Sequence, residues 1–393
     1  MGTIASARTT QVAGILALSV SGALVVMIGT PNDEARTRAT QLTSDFGAVA
    51  RYVFVPSRNV PIVTVVERDT DGVAGTLDVG LVPEQIVVSE ATRKLVAADA
   101  TARSVSVIDL ANGRRLTIDL DFTPRRLIAS PDGYMVAAAN PAAGSVAFIE
   151  LMRNRVASRI TGLSPIQDLM FGPDGAFLYV AAERSDGVGV VDVARGKLIE
   201  KIAVSGLGSA EAAGLTRSPS GRMGYVKAQG SRAISLVDLS NFRPVREIEV
   251  GRNALKAFPT GFGGYLVVPD NSEKTVTIIA NASVTVAAML KGGAGMTTVH
   301  SGWFDTLALV PSATERKLLV YDLDRLNRAA DIALPGSPGP GAVTQDGAKL
   351  YLALEDASKV AVIDLQSRKL IRTITVASNP VAAIMGKSFD VCH

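Results

Sequence analysis

Residue types able to do chemistry are scarce in this chain. Its 393 residues include one Cys, one Trp and two His. One Cys cannot form an intrachain disulfide, and zinc-finger or c-type haem attachment needs at least two. Cys392-His393 ends the sequence and lacks the Cys-x-x-Cys-His spacing of covalent haem; it reads as a tail, with an intermolecular disulfide as the alternative. His300 precedes Ser301-Gly302-Trp303. It is either a packed inner-strand histidine or a cofactor ligand or acid/base group. Asp69-Thr70-Asp71-Gly72 opens like a calcium loop, but Gly80 stands at the twelfth position, where a bidentate acid belongs, so it reads as a strand-connecting turn. Gly206-Leu207-Gly208 and Gly292-Gly293-Ala294-Gly295 lack the strand-to-helix context of a phosphate cradle. No Gly-x-Ser-x-Gly elbow and no His-Glu-x-x-His is present. These residues imply no catalytic centre, no metal site and no cofactor beyond the open role of His300.

Composition narrows the class further. Apolar residues make up 47% and the net charge is +3, which excludes intrinsic disorder. The 40 basic and 37 acidic residues are dispersed, so there is no nucleic-acid signature. Near the start, residues 12–28 carry no charge and follow Arg8. Their length suits a membrane-spanning helix. A signal peptide cleaved near Ala23 is the alternative. Either reading places the rest outside the cytoplasm, with residues 31–48 as a linker.

One element recurs along the rest of the chain. It is a short alternating strand, usually closed by an acid: Val63 to Glu67, Val105 to Asp109, Val146 to Glu150, Val188 to Asp192, Ile234 to Asp238, Val276 to Ala280, Leu318 to Asp322 and Val360 to Asp364. The spacings are 42, 41, 42, 46, 42, 42 and 42 residues. About 15 residues before it sits a turn such as Ser130-Pro131-Asp132-Gly133 or Gly172-Pro173-Asp174-Gly175, and after it a second turn such as Asn112-Gly113 or Arg195-Gly196. Pro presets the first angle of such a turn and Gly accepts positive φ. Four short strands in about 42 residues make one propeller blade. The chain is therefore predicted to be all-β: an eight-bladed β-propeller over 49–393, with seven blades as the alternative, preceded by an anchor or signal over 1–30. The first unit lacks its innermost strand, and Pro380-Val-Ala-Ala-Ile384 matches the missing piece, so the C-terminus is predicted to close the first blade.

The same register assigns two sets of polar residues to opposite faces. The loops between second and third strands hold Asp99, Asn140, Glu183, Gln229, Asp270 and Glu355, a candidate binding face. The turns before the fourth strands hold Arg114, Arg115, Arg153, Arg155, Arg195, Lys197, Arg243, Arg325, Arg328, Arg368 and Lys369, a candidate basic docking rim. Such a rim would steer an acidic partner or lipid headgroups, or simply form solvated turns. His300 falls in the column of Val87, Ile128, Met170, Phe258 and Ala342, on the innermost strands.

The unit Pro-x-x-Ile-x-x-Ser-Pro-Asp-Gly, Tyr-Val-Ala, Val-x-Val-Ile-Asp, Gly resembles the YVTN-type β-propeller repeat, over about residues 50–390. That superfamily includes surface-layer propellers, quinoprotein amine dehydrogenase large subunits, lactonases and the eight-bladed haem-d1 domain of cytochrome cd1. The resemblance implies a fold strongly and a function weakly. The expectation is a membrane-tethered extracytoplasmic scaffold or accessory subunit of a membrane complex, with protein partners, rather than an enzyme. A quinoprotein-type dehydrogenase subunit, a lactonase-like hydrolase and a d1-type haem carrier are the alternatives.

Overall fold

The structure, a computed structural model, describes residues 48–207 and 213–386. The anchor or signal segment, most of the linker, Gly208, Cys392 and His393 lie outside the described residues. Among those described, eight antiparallel sheets follow one another along the chain, seven four-stranded and the first three-stranded. Every one of the eight recurrent strands of the sequence becomes the third strand of a blade, from Ile62–Glu67 in blade 1 to Lys359–Asp364 in blade 8. These third strands are buried on both faces, which is why they read as runs of Val, Ile and Ala. Fourth strands such as Lys197–Ala203 are the outer edge and are largely exposed. Blade 4 shows the full order: Ile166–Phe171, Phe177–Ala182, Gly187–Asp192 and Lys197–Ala203.

The C-terminus supplies the missing inner strand of blade 1. Phe54 and Ile384 exchange backbone hydrogen bonds of 2.8 and 2.9 Å, and the Val381 N–H donates to the Pro56 carbonyl at 2.9 Å. The pairing is two isolated bridges, Phe54 with Ile384 and Ser57 with Pro380, rather than a continuous ladder. The inner strands of blades 6 and 7 are short too, at Phe258–Pro259 and His300–Gly302.

Eight buried apolar clusters correspond to the eight joints between blades, including blade 8 against blade 1. Burial at these joints is the main stabilising term. Polar bonds repeat across them. The Tyr179 hydroxyl, on the second strand of blade 4, donates to the Leu239 carbonyl of blade 5 at 2.7 Å. Tyr225 in blade 5 does the same to Asn281 Oδ1 of blade 6 at 3.0 Å. Tyr351 in blade 8 reaches blade 1, donating to the Arg68 carbonyl at 3.3 Å and to Asp71 Oδ1. Lys349 Nζ joins it at 2.8 Å from Asp71 Oδ2. The Asp69-Thr70-Asp71-Gly72 turn is thus a fastening between the last blade and the first.

The meander gives each blade two ends. The lower face carries the turns between strands one and two and between strands three and four. The upper face carries the turns between strands two and three and the connections between blades. The described chain starts at the lower face: Val49–Arg51 is a 3-10 turn leading into Tyr52–Pro56, and Arg51 pairs with Glu67 at 2.8 Å and Asp69 at 3.2 Å. On that face the turns pack on one another around the ring. Gly221 has φ +76°, and a Cβ there would lie 2.2 Å from Pro173 Cβ of the preceding blade, so only glycine fits.

Candidate functional site

The upper-face residues Asp99, Asn140, Glu183, Gln229, Asp270 and Glu355 all sit at or beside the ends of second strands, one per blade in blades 2 to 6 and in blade 8. Their environments differ. Glu183 and Gln229 are exposed. Glu355 lies 3.9 Å from Arg58. Asp99 Oδ1 accepts the Thr101 hydroxyl at 2.7 Å and the Ala102 N–H at 2.7 Å. Burial pushes its pKa up, but these bonds outweigh burial and hold it below the usual carboxylate range. Asn140 donates to the Thr123 carbonyl at 3.0 Å, tying the turn to the connection from blade 2. Asp270 is buried and its Oδ1 accepts from Ser272 and Glu273 at 2.7–3.0 Å. Near it, Lys227 Nζ donates to the carbonyls of Ala228 at 2.8, Ser231 at 2.8 and Arg252 at 3.2 Å. Burial lowers the Lys227 pKa, and the Asp270 charge opposes that shift.

Beside this ring, at the start of the inner strands, lies a group that no sequence motif marks. Asp168 in blade 4 is buried and binds Arg126 of blade 3. Its Oδ2 accepts the Leu215 N–H of blade 5 at 2.8 Å and lies 3.6 Å from Lys256 Nζ of blade 6. In blade 2, Gln85 Oε1 accepts the Leu127 N–H at 2.7 Å. Arg126, Asp168, Gly214 and Lys256 occupy one column, 42, 46 and 42 residues apart. Gly214 is what lets Lys256 reach across blade 5, since a Cβ at 214 would lie 2.4 Å from Lys256 Cβ. Two cations on one carboxylate leave spare N–H donors: a guanidinium carries five and an ammonium three. An inner arc of this kind can hold a carboxylate or a backbone carbonyl of a bound segment. Shifting the His300 column back by two residues would have exposed it.

On the lower face, five residues of the predicted basic rim pair with the acids that close the third strands. Arg153 and Arg155 bind Glu150 at 3.0 and 3.1 Å, and Arg195 binds Asp192. Arg368 and Arg325 lie 3.1 and 3.6 Å from Asp322. Burial would raise the Asp322 pKa, but the Arg325 N–H and the Arg368 guanidinium hold it below the usual range. Arg115 instead reaches Asp78, at the far end of the fourth strand of blade 1, at 3.2 Å. Arg114, Lys197, Arg243 and Lys369 are exposed. The acids after the recurrent strands thus tie down the turns and offset the rim charge. Arg114 and Arg115 also line a cleft of about 190 Å³ with Lys94, Asp109, Asn112 and Asn154. His300 lies on the inner strand of blade 7 and is buried. Among the described residues, no group of three or more His, Cys, Asp or Glu is placed to hold a metal ion.

Residues 99–386 match the YNCE-like beta-propeller family. The chain belongs to that family. The match spans well over half the sequence and agrees with the YVTN-type repeat. No curated protein matches. Among solved structures, the dihydro-heme d1 dehydrogenase NirN in complex with DHE is similar at 15% identity and TM-score 0.73, over 89% of this chain and 79% of that one. AztD from Citrobacter koseri, in its apo form, is similar at 16% identity and TM-score 0.64, over 86% and 98%. Hydrazine synthase from Kuenenia stuttgartiensis is similar at 18% identity and TM-score 0.55, over 72% and 95%. At these identities the likeness is one of fold.

Proposed function

We propose that this family member is an extracytoplasmic binding propeller, tethered to a membrane through residues 12–28, that serves as a scaffold or accessory subunit of a membrane complex. Release after cleavage near Ala23 is the variant of the same reading. One observation carries it. The described chain begins on the lower face, whereas the polar ring and the Arg126–Asp168–Lys256 arc lie toward the upper face. A tether attached below leaves the recognition groups directed away from it. The arc combines charge with partial burial, which favours a partner segment that brings its own carboxylate or carbonyl oxygens.

Purification of the tagged full chain from its native membrane tests this. The expected result is a discrete co-purifying polypeptide that is lost in Lys256→Met and Glu183→Lys. Visible absorption bands in place of a partner would instead favour a tetrapyrrole carrier, a reading in keeping with the NirN neighbour. Substrate turnover by the chain alone would favour a hydrolase.

A further inference from the structure

The lower face carries an apolar feature that the scaffold reading does not use. In blades 3 and 4 the first turn is a Pro-Asp-Gly turn, but in blades 6 and 7 its place is taken by Thr260-Gly261-Phe262-Gly263 and Gly302-Trp303-Phe304-Asp305. Phe262 is 68% exposed and Phe304 63%, and with Met152 at 62%, on the blade 3 hairpin of the same face, they are the three most exposed large apolar side chains described. The two aromatic turns are neighbours: the Phe262 N–H donates to Asp305 Oδ2 at 3.2 Å, and the Gly261 N–H to the Ser301 hydroxyl at 2.8 Å. The Trp303 and Phe304 rings pack edge to face, 5.5 Å between centroids.

The second turn is also conformationally costly. Trp303, Phe304 and Asp305 have φ of 50, 56 and 65°, three successive non-glycine residues in the left-handed region. Strain of this kind persists where the surroundings impose it, and it gathers at sites that do work. Here its effect is to hold an aromatic side chain out at the tip of a turn. Arg222 and Arg325 stand on the same face, each 3.6 Å from a carboxylate, Asp238 and Asp322, yet with most of their side chains exposed.

The occupant follows from where the chain starts. Residues 12–28 form the uncharged stretch, and residues 31–48 join it to the propeller at the lower face. Eighteen residues span at most about 60 Å when extended and roughly 20–25 Å on average as a flexible chain. A bilayer holding the first segment is therefore kept close to the face that presents Phe262, Trp303 and Phe304. Aromatic rings with nearby arginines are the side chains that favour the headgroup level of a membrane. We propose that the lower face of blades 6 and 7 rests on the bilayer, with Phe262, Phe304 and the Trp303 edge at headgroup depth. This rests on the tether reading.

Trp303 is the only tryptophan in the chain, so its own fluorescence reports the contact. The experiment uses the full chain reconstituted in phosphatidylcholine–phosphatidylglycerol vesicles whose acyl chains carry bromine. The expected result is co-sedimentation with the vesicles, at least twofold quenching of Trp303 relative to unbrominated lipid, and loss of most of that quenching in Phe262→Ser/Phe304→Ser with co-sedimentation kept. Co-sedimentation without quenching overturns the docking while leaving the tether intact. Failure to co-sediment overturns the tether and the docking with it. An unchanged far-UV spectrum and melting temperature of the double variant establish that it is folded.

Discussion

At the scale of single residues, the upper face is governed by Asp168. It holds one guanidinium and two backbone N–H groups, of Leu169 and Leu215, by direct hydrogen bonds and has an ammonium close by, and it does so from a nearly buried position. Removing its charge leaves Arg126 and Lys256 facing each other without a carboxylate. Breaking a fully buried pair costs several kcal/mol, and the partial exposure of both cations reduces that here. Asp168→Asn is expected to destabilise the ring by about 2 kcal/mol, seen in denaturant melts. Adding Lys256→Met should recover part of the loss, because the two changes are coupled; strict additivity would show that Lys256 does not feel Asp168. The upper-face ring was legible in the sequence because its members close or follow second strands about one repeat apart, blade 7 excepted. The arc was not. Arg, Asp, Gly and Lys at successive repeats share no motif, and they act together only because the ring brings Arg126 and Lys256, one and two repeats away, up to Asp168. The fate of Asp109, Glu150, Asp192 and Asp322 was hidden for a related reason. A recurrent acid at a strand end looks like part of a repeat, whereas its work is to bind the turn that follows it.

At the scale of elements, the second strands do more than fill the joints. Three tyrosines in one column, Tyr179, Tyr225 and Tyr351, each reach the next blade. Burial raises the pKa of all three, and that of Tyr225 is pushed up to about 12. The sign of the pH dependence follows. An unfolded chain sheds its phenol protons near pH 10 while the folded ring keeps them. Above that pH the unfolded state binds fewer protons, so stability falls as pH rises from about 10 to 12. Buried Lys94 and Lys227 act in the opposite direction at lower pH. Burial lowers their pKa, so the folded ring releases those protons first and gains stability as pH approaches the unfolded lysine value of about 10.4. Denaturation midpoints across pH 8–12 should therefore pass through a maximum near pH 10, and Tyr225→Phe should flatten the alkaline limb. A limb of unchanged slope would show that Tyr225 ionises as readily folded as unfolded. Tyr179 was visible in the sequence within Tyr-Val-Ala, and Tyr225 and Tyr351 hold the same place in Tyr-Val-Lys and Tyr-Leu-Ala, but their bonds to the neighbouring blade were not visible, since spacing within one repeat says nothing about the partner across a joint.

At the scale of the whole molecule, closure decides whether eight blades behave as one body. Seven joints are made by blades adjacent in sequence, and the eighth must join residues 278 to 283 positions apart, as Tyr351 and Lys349 do with Arg68 and Asp71. The same joint is sealed by the segment 380–384. Ala382, Ala383 and Met385 are buried, and Ala383 donates its N–H to the Pro340 carbonyl of blade 8 at 3.1 Å while Ile384 bonds Phe54 of blade 1. The segment therefore touches both sides of the seam. Deleting residues 380–393 removes several backbone hydrogen bonds of about 1 kcal/mol each and the burial of several apolar side chains, together roughly 5–8 kcal/mol. That is comparable to the entire stability of many domains. It also bares the edge of Tyr52–Pro56, an unpaired strand suited to pairing with a second chain. The melting temperature is expected to fall by about 10 °C or more, with concentration-dependent association on heating. The Asp71→Ala variant separates the two fastenings. It keeps the C-terminal strand and loses only the Lys349–Tyr351 clasp, so a drop of a few degrees without association is the outcome that assigns edge protection to the strand and register to the clasp. An equal drop in both variants would mean that the seam opens as one unit whichever fastening is cut.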